Sequence, residues 1–285
     1  MTQVKIVTDS SAYLPKELVA RYDIEVLPIT LNWGDERLRD GVDITPDEFY
    51  KRLDGSSVLP TTSQFTNFEY ETAFRRLLEE TGKDILVLPI SQGLSGSHFG
   101  AVKAREDVDP KRIEVVDTKL TSMALGFMVL AAARAAEAGK TLAECKKAAE
   151  DTYEHIGVYF TVRTLKYLAA GGRINTAKKL MGTLLDVKPV LMLRDGKIEL
   201  VESVRSTKKA IRRMVELVEK DIAGRKPVRI SVFHAGVPQE AAELQAELEA
   251  KFGAVEGIIS ERSPVVGSHV GTGTIAVAFQ AGEPK

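Results

Sequence analysis

Short apolar runs bounded by turn residues alternate with stretches whose apolar positions recur every three or four residues. In the first half the runs at 4–8, 25–32, 85–90 and 113–116 read as strands. The run Ile85-Leu86-Val87-Leu88-Pro89-Ile90 carries aliphatic side chains on both faces, as a buried parallel strand does. Helical periods fall at 15–22, after Thr45, at 68–80, at 99–106 and at 122–138. Pro15 suits a first turn, where its missing N–H is not needed. Thr45 before Pro46-Asp47-Glu48 reads as an N-cap, and Gly139 closes the long helix. Such alternation predicts a mostly parallel sheet with helices on both faces.

The second half has a different rhythm. Helices are expected at 141–153, 164–170, 206–221 and 239–252, and strands at 158–162, 187–193, 197–201, 228–233, 255–260 and 274–278. Asp195-Gly196 between two of these strands signals a tight hairpin, and a hairpin among helices means a mixed sheet. The expectation is two α/β domains: residues 1–155 around a doubly wound parallel sheet and residues 156–285 around a mixed one.

Composition narrows the partners more than the fold. A net charge of -1 leaves no general basic field for nucleic acid. The cluster Lys208-Lys209 with Arg212-Arg213 fits the solvated face of a helix. Cys145 is the one cysteine, so no internal disulfide forms and a reducing compartment fits. The N-terminus reads as the start of a strand rather than a signal peptide, and the longest apolar stretch, 123–133, is too short to span a bilayer. A cytoplasmic protein is expected.

Four polar clusters stand where strands should end: Thr8-Asp9-Ser10-Ser11, Pro60-Thr61-Thr62-Ser63-Gln64, Ser91-Gln92-Gly93-Leu94-Ser95-Gly96-Ser97-His98, and Asp117-Thr118-Lys119. Any one of them is ordinary turn and capping chemistry. Together, on one edge of a parallel sheet, they favour a ligand crevice. In the 91–98 loop, glycines allow close backbone approach and amides at a helix start attract an anion, with serine hydroxyls as neutral donors. The loop therefore suits a small acidic group held without lysine or metal, with carboxylate, phosphate and nucleotide all open at this point.

Familiar enzyme signatures fail. Ser97 stands where a nucleophile elbow needs its final glycine, and Gly139-Lys140-Thr141 lacks the leading glycine of a P-loop. Gly271-Thr272-Gly273 lies too near the C-terminus to open a dinucleotide-binding unit. His98, His155, His234 and His269 have no metal-ligand spacing. Two further segments stand out: Gly171-Gly172-Arg173-Ile174, with an arginine just past a helix end, and 265–273, a glycine-rich turn that carries His269.

Taken in order, these segments carry a resemblance. Thr8-Asp9-Ser10, Thr62-Ser63-Gln64, Leu94-Ser95-Gly96-Ser97, Asp117-Thr118, Gly172-Arg173-Ile174, Lys188-Pro189-Val190-Leu191, Arg205 with Lys209-Ala210, and Gly267-Ser268-His269-Val270-Gly271 together resemble the DegV family of bacterial fatty-acid-binding proteins, over essentially the whole chain. The resemblance implies two α/β domains with a long-chain fatty acid buried between them and no cofactor. It assigns the carboxylate to Thr62 and Ser95, with Ser63 and Ser97 close by, and associates Arg173, Arg205 and His269 with the head group or with phosphoryl transfer. It implies a carrier without intrinsic catalysis whose ligand is phosphorylated by a separate ATP-binding kinase subunit and then feeds phospholipid synthesis, with brief contact at a membrane surface for lipid entry. Ser97 and His98 depart from the threonine and aromatic residue usual after Leu-Ser-Gly, which makes His98 a head-group neighbour to watch. The helix around Phe127 and Met128 and the segment 180–185 are apolar enough to wall the acyl tunnel, with simple core packing the commoner role for any one of their side chains. The alternative is a stand-alone phosphotransferase or hydrolase using Ser95 with His98 or His269.

Overall fold

The computed structural model describes residues 3–180, 187–261 and 263–283. In the first half β1 (Val4–Asp9) runs between β2 (Glu25–Leu27) and β6 (Asp84–Leu88), and β7 (Ile113–Val115) completes an all-parallel sheet of order β2-β1-β6-β7. Strand periodicity sorts the side chains of β6 into two cores. Ile85 and Val87 pack with Tyr70, Phe74 and Leu77 of α3 (Asn67–Thr81) and Ala101 and Ala104 of α4 (Ser97–Val108). Leu86 and Leu88 face the opposite way, toward α5 (Ser122–Glu137). The apolar run at 85–90 thus reflects burial on both faces.

The expected strand 25–32 is two strands in two sheets. Pro28 has no N–H to give a ladder, so the parallel sheet ends at Leu27. The Ser10 hydroxyl accepts the Ile29 amide at 3.1 Å and holds the bend. β3 (Thr30–Trp33) then forms a small antiparallel sheet with β4 (Glu36–Arg39) and β5 (Thr61–Ser63). β4 and β5 are short and polar, which hid them from pattern reading. α1 (Lys16–Arg21) and α2 (Pro46–Asp54) flank this region. Thr45 caps α2 as expected, and a full capping box with Glu48 fixes its start.

The second half forms a six-stranded mixed sheet of order β10-β9-β8-β13-β11-β12. Its strands are β8 (Ile156–Thr161), β9 (Lys188–Arg194), β10 (Lys197–Val204), β11 (Val228–His234), β12 (Glu256–Glu261) and β13 (Ile275–Ala281). All pairs are antiparallel except β11–β12. The β9–β10 turn is the expected Asp-Gly hairpin, with φ of 47° at Asp195 and 78° at Gly196. α8 (Thr207–Ile222) and α9 (Pro238–Phe252) cover one face. α6 (Leu142–Tyr153) lies beside α5, and the short α7 (Lys166–Ala170) and α10 (Pro264–Val270) complete the chain.

α5 joins the two halves. Its buried side chains pack on Leu86 and Leu88 of the parallel sheet and, in the same core, on Val158, Phe160 and Ala278 of the mixed sheet. A helix apolar on all sides belongs between layers. Among the described residues no helix is long and apolar enough to cross a membrane.

Candidate functional site

A cavity opens where the halves meet. Its polar lining comes from β5 and its exit (Thr62, Ser63, Gln64), from the loop after β6 (Ser95, Gly96) and from Arg173 and His269. Its apolar walls include Ile29 and Ile90 from the first half and Val158, Phe160, Leu193, Ile198, Phe233 and Val266 from the second. Val158, Phe160, Leu193, Ile198 and Phe233 come from the mixed sheet, and Val265, Val266 and Val270 from α10. Phe127 and Met128 do not line the cavity; they fill the core around α5, so simple core packing is the role that holds for both. Of the other wall segment, 181–185 lie outside the described residues.

The hydroxyl loop is held in place from three directions. The Asp9 carboxylate accepts the Ile90 amide at 2.8 Å and fixes the end of β6. The Ser91 hydroxyl donates to the Gly196 carbonyl of the β9–β10 turn at 2.9 Å, tying the loop to the other half. Gly93 is required at this seam, since a Cβ there would stand 2.4 Å from the Gly196 oxygen. Asp117 accepts the Gln92 amide at 3.1 Å. Three of the four expected polar clusters thus lie at C-terminal ends of the parallel sheet. The fourth, 60–64, belongs to the small antiparallel sheet and reaches the cavity by another route.

His269 meets Thr62 across the halves, with Nε2 3.0 Å from Oγ1. It sits in α10 rather than in the expected glycine-rich turn. Ser263 caps that helix, Pro264 opens it, and Gly267 is accommodated because the rings of Phe49 and Tyr50 press on its bare face. The His269 ring also lies on Gly171, where a Cβ would come within 2.2 Å of Nδ1. Burial, and then the Arg173 charge, lower the His269 pKa to about 4, so the ring is neutral near pH 7. Its Nδ1 is buried without a hydrogen-bond partner, and so is Thr121 Oγ1 on the cavity wall.

Arg173 spans the seam. Its Nε donates to the Leu94 carbonyl at 2.9 Å, and Nη1 donates to the Gly171 carbonyl at the end of α7. The helix-end reading of this arginine holds, and the same side chain lines the cavity. Ser95 Oγ pairs with Ser97 Oγ at 3.0 Å, so Ser97, fully buried, reaches the cavity through Ser95. His98 is half-buried on the first turn of α4 but does not line the cavity; burial lowers its pKa, against the opposing charge of Asp117. Arg205, beyond β10, is exposed and also lies off the cavity wall. Ile29 and Thr121 were missed by sequence reading; the one signal for Ile29 was its position after Pro28.

Among the described residues no cluster of histidine, cysteine or carboxylate side chains could hold a metal ion. The site offers neutral hydroxyls, a neutral imidazole and one guanidinium around an apolar space. That set accommodates a single anionic head group on a hydrophobic body.

Comparison with known proteins agrees with this architecture. The family model described as "Uncharacterised protein, DegV family" matches residues 3–282. The DegV domain-containing protein SCO2569 of Streptomyces coelicolor is 41% identical over 280 residues, covering 98% of each chain. Among solved structures, a fatty-acid-binding DegV family protein from Thermus thermophilus superposes with a TM-score of 0.92 at 34% identity, covering 98% of this chain and 99% of that one. DegV of Bacillus subtilis, described as a fatty acid binding protein, gives 0.90 at 32% identity, with 99% and 100% covered. A stearic acid-binding protein from Eubacterium ventriosum gives 0.87 at 27% identity, with 98% of both chains covered. The chain belongs to the DegV family.

Proposed function

We propose that this protein carries a long-chain fatty acid in the cavity between its two halves and presents the carboxylate to a separate ATP-binding kinase subunit in the cytoplasm. One observation carries the reading: a largely apolar cavity ends in a cluster of hydroxyls and a neutral imidazole beside a single guanidinium. Burial of an acyl chain at about 0.8 kcal/mol per CH₂ supplies a gross driving force on the order of 10 kcal/mol, less the cost of ordering. Thr62 and Ser95, with Ser63 and Ser97 beside them, satisfy the carboxylate without placing a fixed cation directly on it. A carboxylate oxygen left nucleophilic can displace ADP from the γ-phosphorus of ATP, forming the acyl phosphate. Arg173 and His269 stand ready for the charge of the transferring phosphoryl group.

The stand-alone hydrolase or phosphotransferase fits the geometry less well. A serine nucleophile needs its base within hydrogen-bond reach. Ser95 pairs with Ser97, and His269 pairs with Thr62. Denaturing extraction of the purified protein followed by mass spectrometry tests the reading: about one long-chain fatty acid per chain is expected. Ser95→Ala should weaken fatty-acid binding by roughly tenfold, as loss of a charge-assisted hydrogen bond does. Protein that neither retains nor takes up long-chain fatty acid sinks the proposal, as does unchanged affinity in Ser95→Ala for the assigned carboxylate contact.

A further inference from the structure

A serine hydroxyl offers one donor and two acceptor sites, and which of them Ser95 turns to the cavity depends on what holds its oxygen from behind. Two groups do so. The Ser97 backbone N–H donates to Ser95 Oγ at 3.2 Å, and Ser97 Oγ stands 3.0 Å from the same oxygen. Ser97 is fully buried at the start of α4. Behind it lies Tyr70 of α3, among the largest fully buried side chains of the protein. The Tyr70 hydroxyl stops short of a well-formed hydrogen bond. Burial first, and then the charge of Asp9, raise its pKa well above the ordinary value, so it keeps its proton; contact with the Ser97 side chain works against that shift, and the Glu69 charge adds to it. The rings of Phe65 and Phe74 pack against the Tyr70 ring, with centroids 5.0 and 5.5 Å away, and offer the phenol no acceptor.

We propose that Tyr70 is a positioning residue of the head-group site: Tyr70 donates to Ser97, Ser97 donates to Ser95, and Ser95 is left as a committed hydrogen-bond donor toward the ligand. The inference rests on the carrier reading above and deepens it by naming the head group that the loop selects. The direction of the chain follows from where each proton can go. The phenol proton is held in a dry site where an unshared donor is costly, and Ser97 Oγ is the acceptor placed to take it. Ser97, accepting from Tyr70, turns its own proton to Ser95 Oγ. That oxygen then receives both the N–H and the O–H of Ser97, so its two acceptor sites are filled. Its own O–H is what remains for the cavity. A donor of this kind suits an ionised carboxylate, which accepts and cannot donate, and the bond is charge-assisted. Hydroxyls aligned in one direction polarise one another and strengthen the last bond of the chain. An alcohol on the same acyl body gains only a neutral bond and brings a proton that Ser95 has no site to accept. The chain thus makes the loop selective for a fatty acid over a fatty alcohol.

The test is Tyr70→Phe, which removes one oxygen and keeps the ring that packs on Phe65 and Phe74. Equilibrium binding of oleate and of oleyl alcohol is measured for the wild-type and variant chains, with a chemical denaturation curve for each. Tyr70→Phe should bind oleate about fivefold more weakly and oleyl alcohol within about twofold of wild type, so the preference for acid over alcohol shrinks. Its stability should be unchanged or higher, because a poorly bonded buried hydroxyl has been removed. Ser97→Ala should weaken oleate binding at least as much, and adding Tyr70→Phe to it should cost little more, since the two side chains act in one chain. Equal weakening of both ligands in Tyr70→Phe marks a packing role and overturns the proposal. Additive losses in the double variant overturn it as well. Wild-type protein that binds oleate, with unchanged oleate affinity in Tyr70→Phe, overturns the chain and leaves the carrier reading intact. Wild-type protein that takes up no oleate sinks the chain and the carrier reading together.

Discussion

Two buried polar clusters lie on opposite sides of Ile29, and they do different work. Around Thr8, Asp9 and Ser10 the side chains are spent on the fold. The Thr8 hydroxyl donates to the Leu88 carbonyl at 2.7 Å, Asp9 accepts the amides of Ser11 and Ile90, and Ser10 links the Ile29 amide to Asp40. Around Thr62, Ser95, Arg173 and His269 the bonds cross between the two halves, and unpaired buried atoms occur in both clusters, Ser11 Oγ and Asp40 Oδ1 in the one and His269 Nδ1 in the other. Both clusters looked alike in the sequence as hydroxyl-rich strand ends. What separates them is where the hydrogen bonds go. A carboxylate whose oxygens hold backbone amides braces one half, while side-chain bonds that cross between the halves frame a cavity.

The sharpest way to break this contrast is to weaken each side in turn. Burial raises the Asp9 pKa, yet each of its oxygens holds one backbone amide, so Asp9→Asn must turn an amide NH₂ toward one of those two donors. It should lower unfolding stability by about 2–3 kcal/mol, read by chemical denaturation. Stability within about 0.5 kcal/mol of wild type would show that Asp9 is no brace. His269→Ala should do the reverse: near-normal fatty-acid content, but acyl phosphate formation slowed about 100-fold, the range for loss of a charge-stabilising group. Arg205→Ala, off the cavity wall, should slow it far less. Equal loss of lipid binding and turnover in His269→Ala would erase the division between holding the carboxylate and stabilising the phosphoryl group.

Acidification pulls the clusters in opposite directions. Burial raises the pKa of Asp40 to about 7, so the fold favours its protonated form. Its contribution to stability grows as pH falls from 7 toward the ordinary carboxyl range near 4. His269, lowered to about 4, is held neutral by the fold. Its contribution is complete above the ordinary histidine pKa of about 6.5 and is lost as pH falls through the window toward 4. The two trends offset each other in the native chain. Thermal melts from pH 7 to 4.5 should therefore rise with acidification in His269→Gln and fall in Asp40→Asn, by effects on the order of 2 kcal/mol. Parallel profiles in the two variants would remove the assigned opposition.

Much of the architecture was legible because its causes are local. Thr45 reads as a cap from the sequence, and Thr66 and Thr141, which were not read so, form the same capping box with a glutamate three residues on. Period-two burial sorted β6, and positive φ at Asp195-Gly196 made the hairpin. The hydroxyl loop after β6 stood out for the same reason: it is a strand-to-helix turn whose residues act within a few positions of one another. The family could be named from the order of such segments.

What the tertiary structure alone decided has long-range causes. Nothing near Pro28 says that the chain beyond it leaves the parallel sheet to build another, because β4 and β5 become strands only by pairing with β3. The helix carrying Phe127 and Met128 is apolar all round whether it lines a tunnel or joins two sheets, and only the packing of both sheets against it made it core. His269 looked like part of a glycine-rich turn, since glycines that elsewhere free the backbone make room in α10 for neighbouring rings. Its partner Thr62 lies 207 positions away. Local propensities fix helices, caps and turns, whereas the cavity and its head-group cluster exist only once two separately built sheets close on each other.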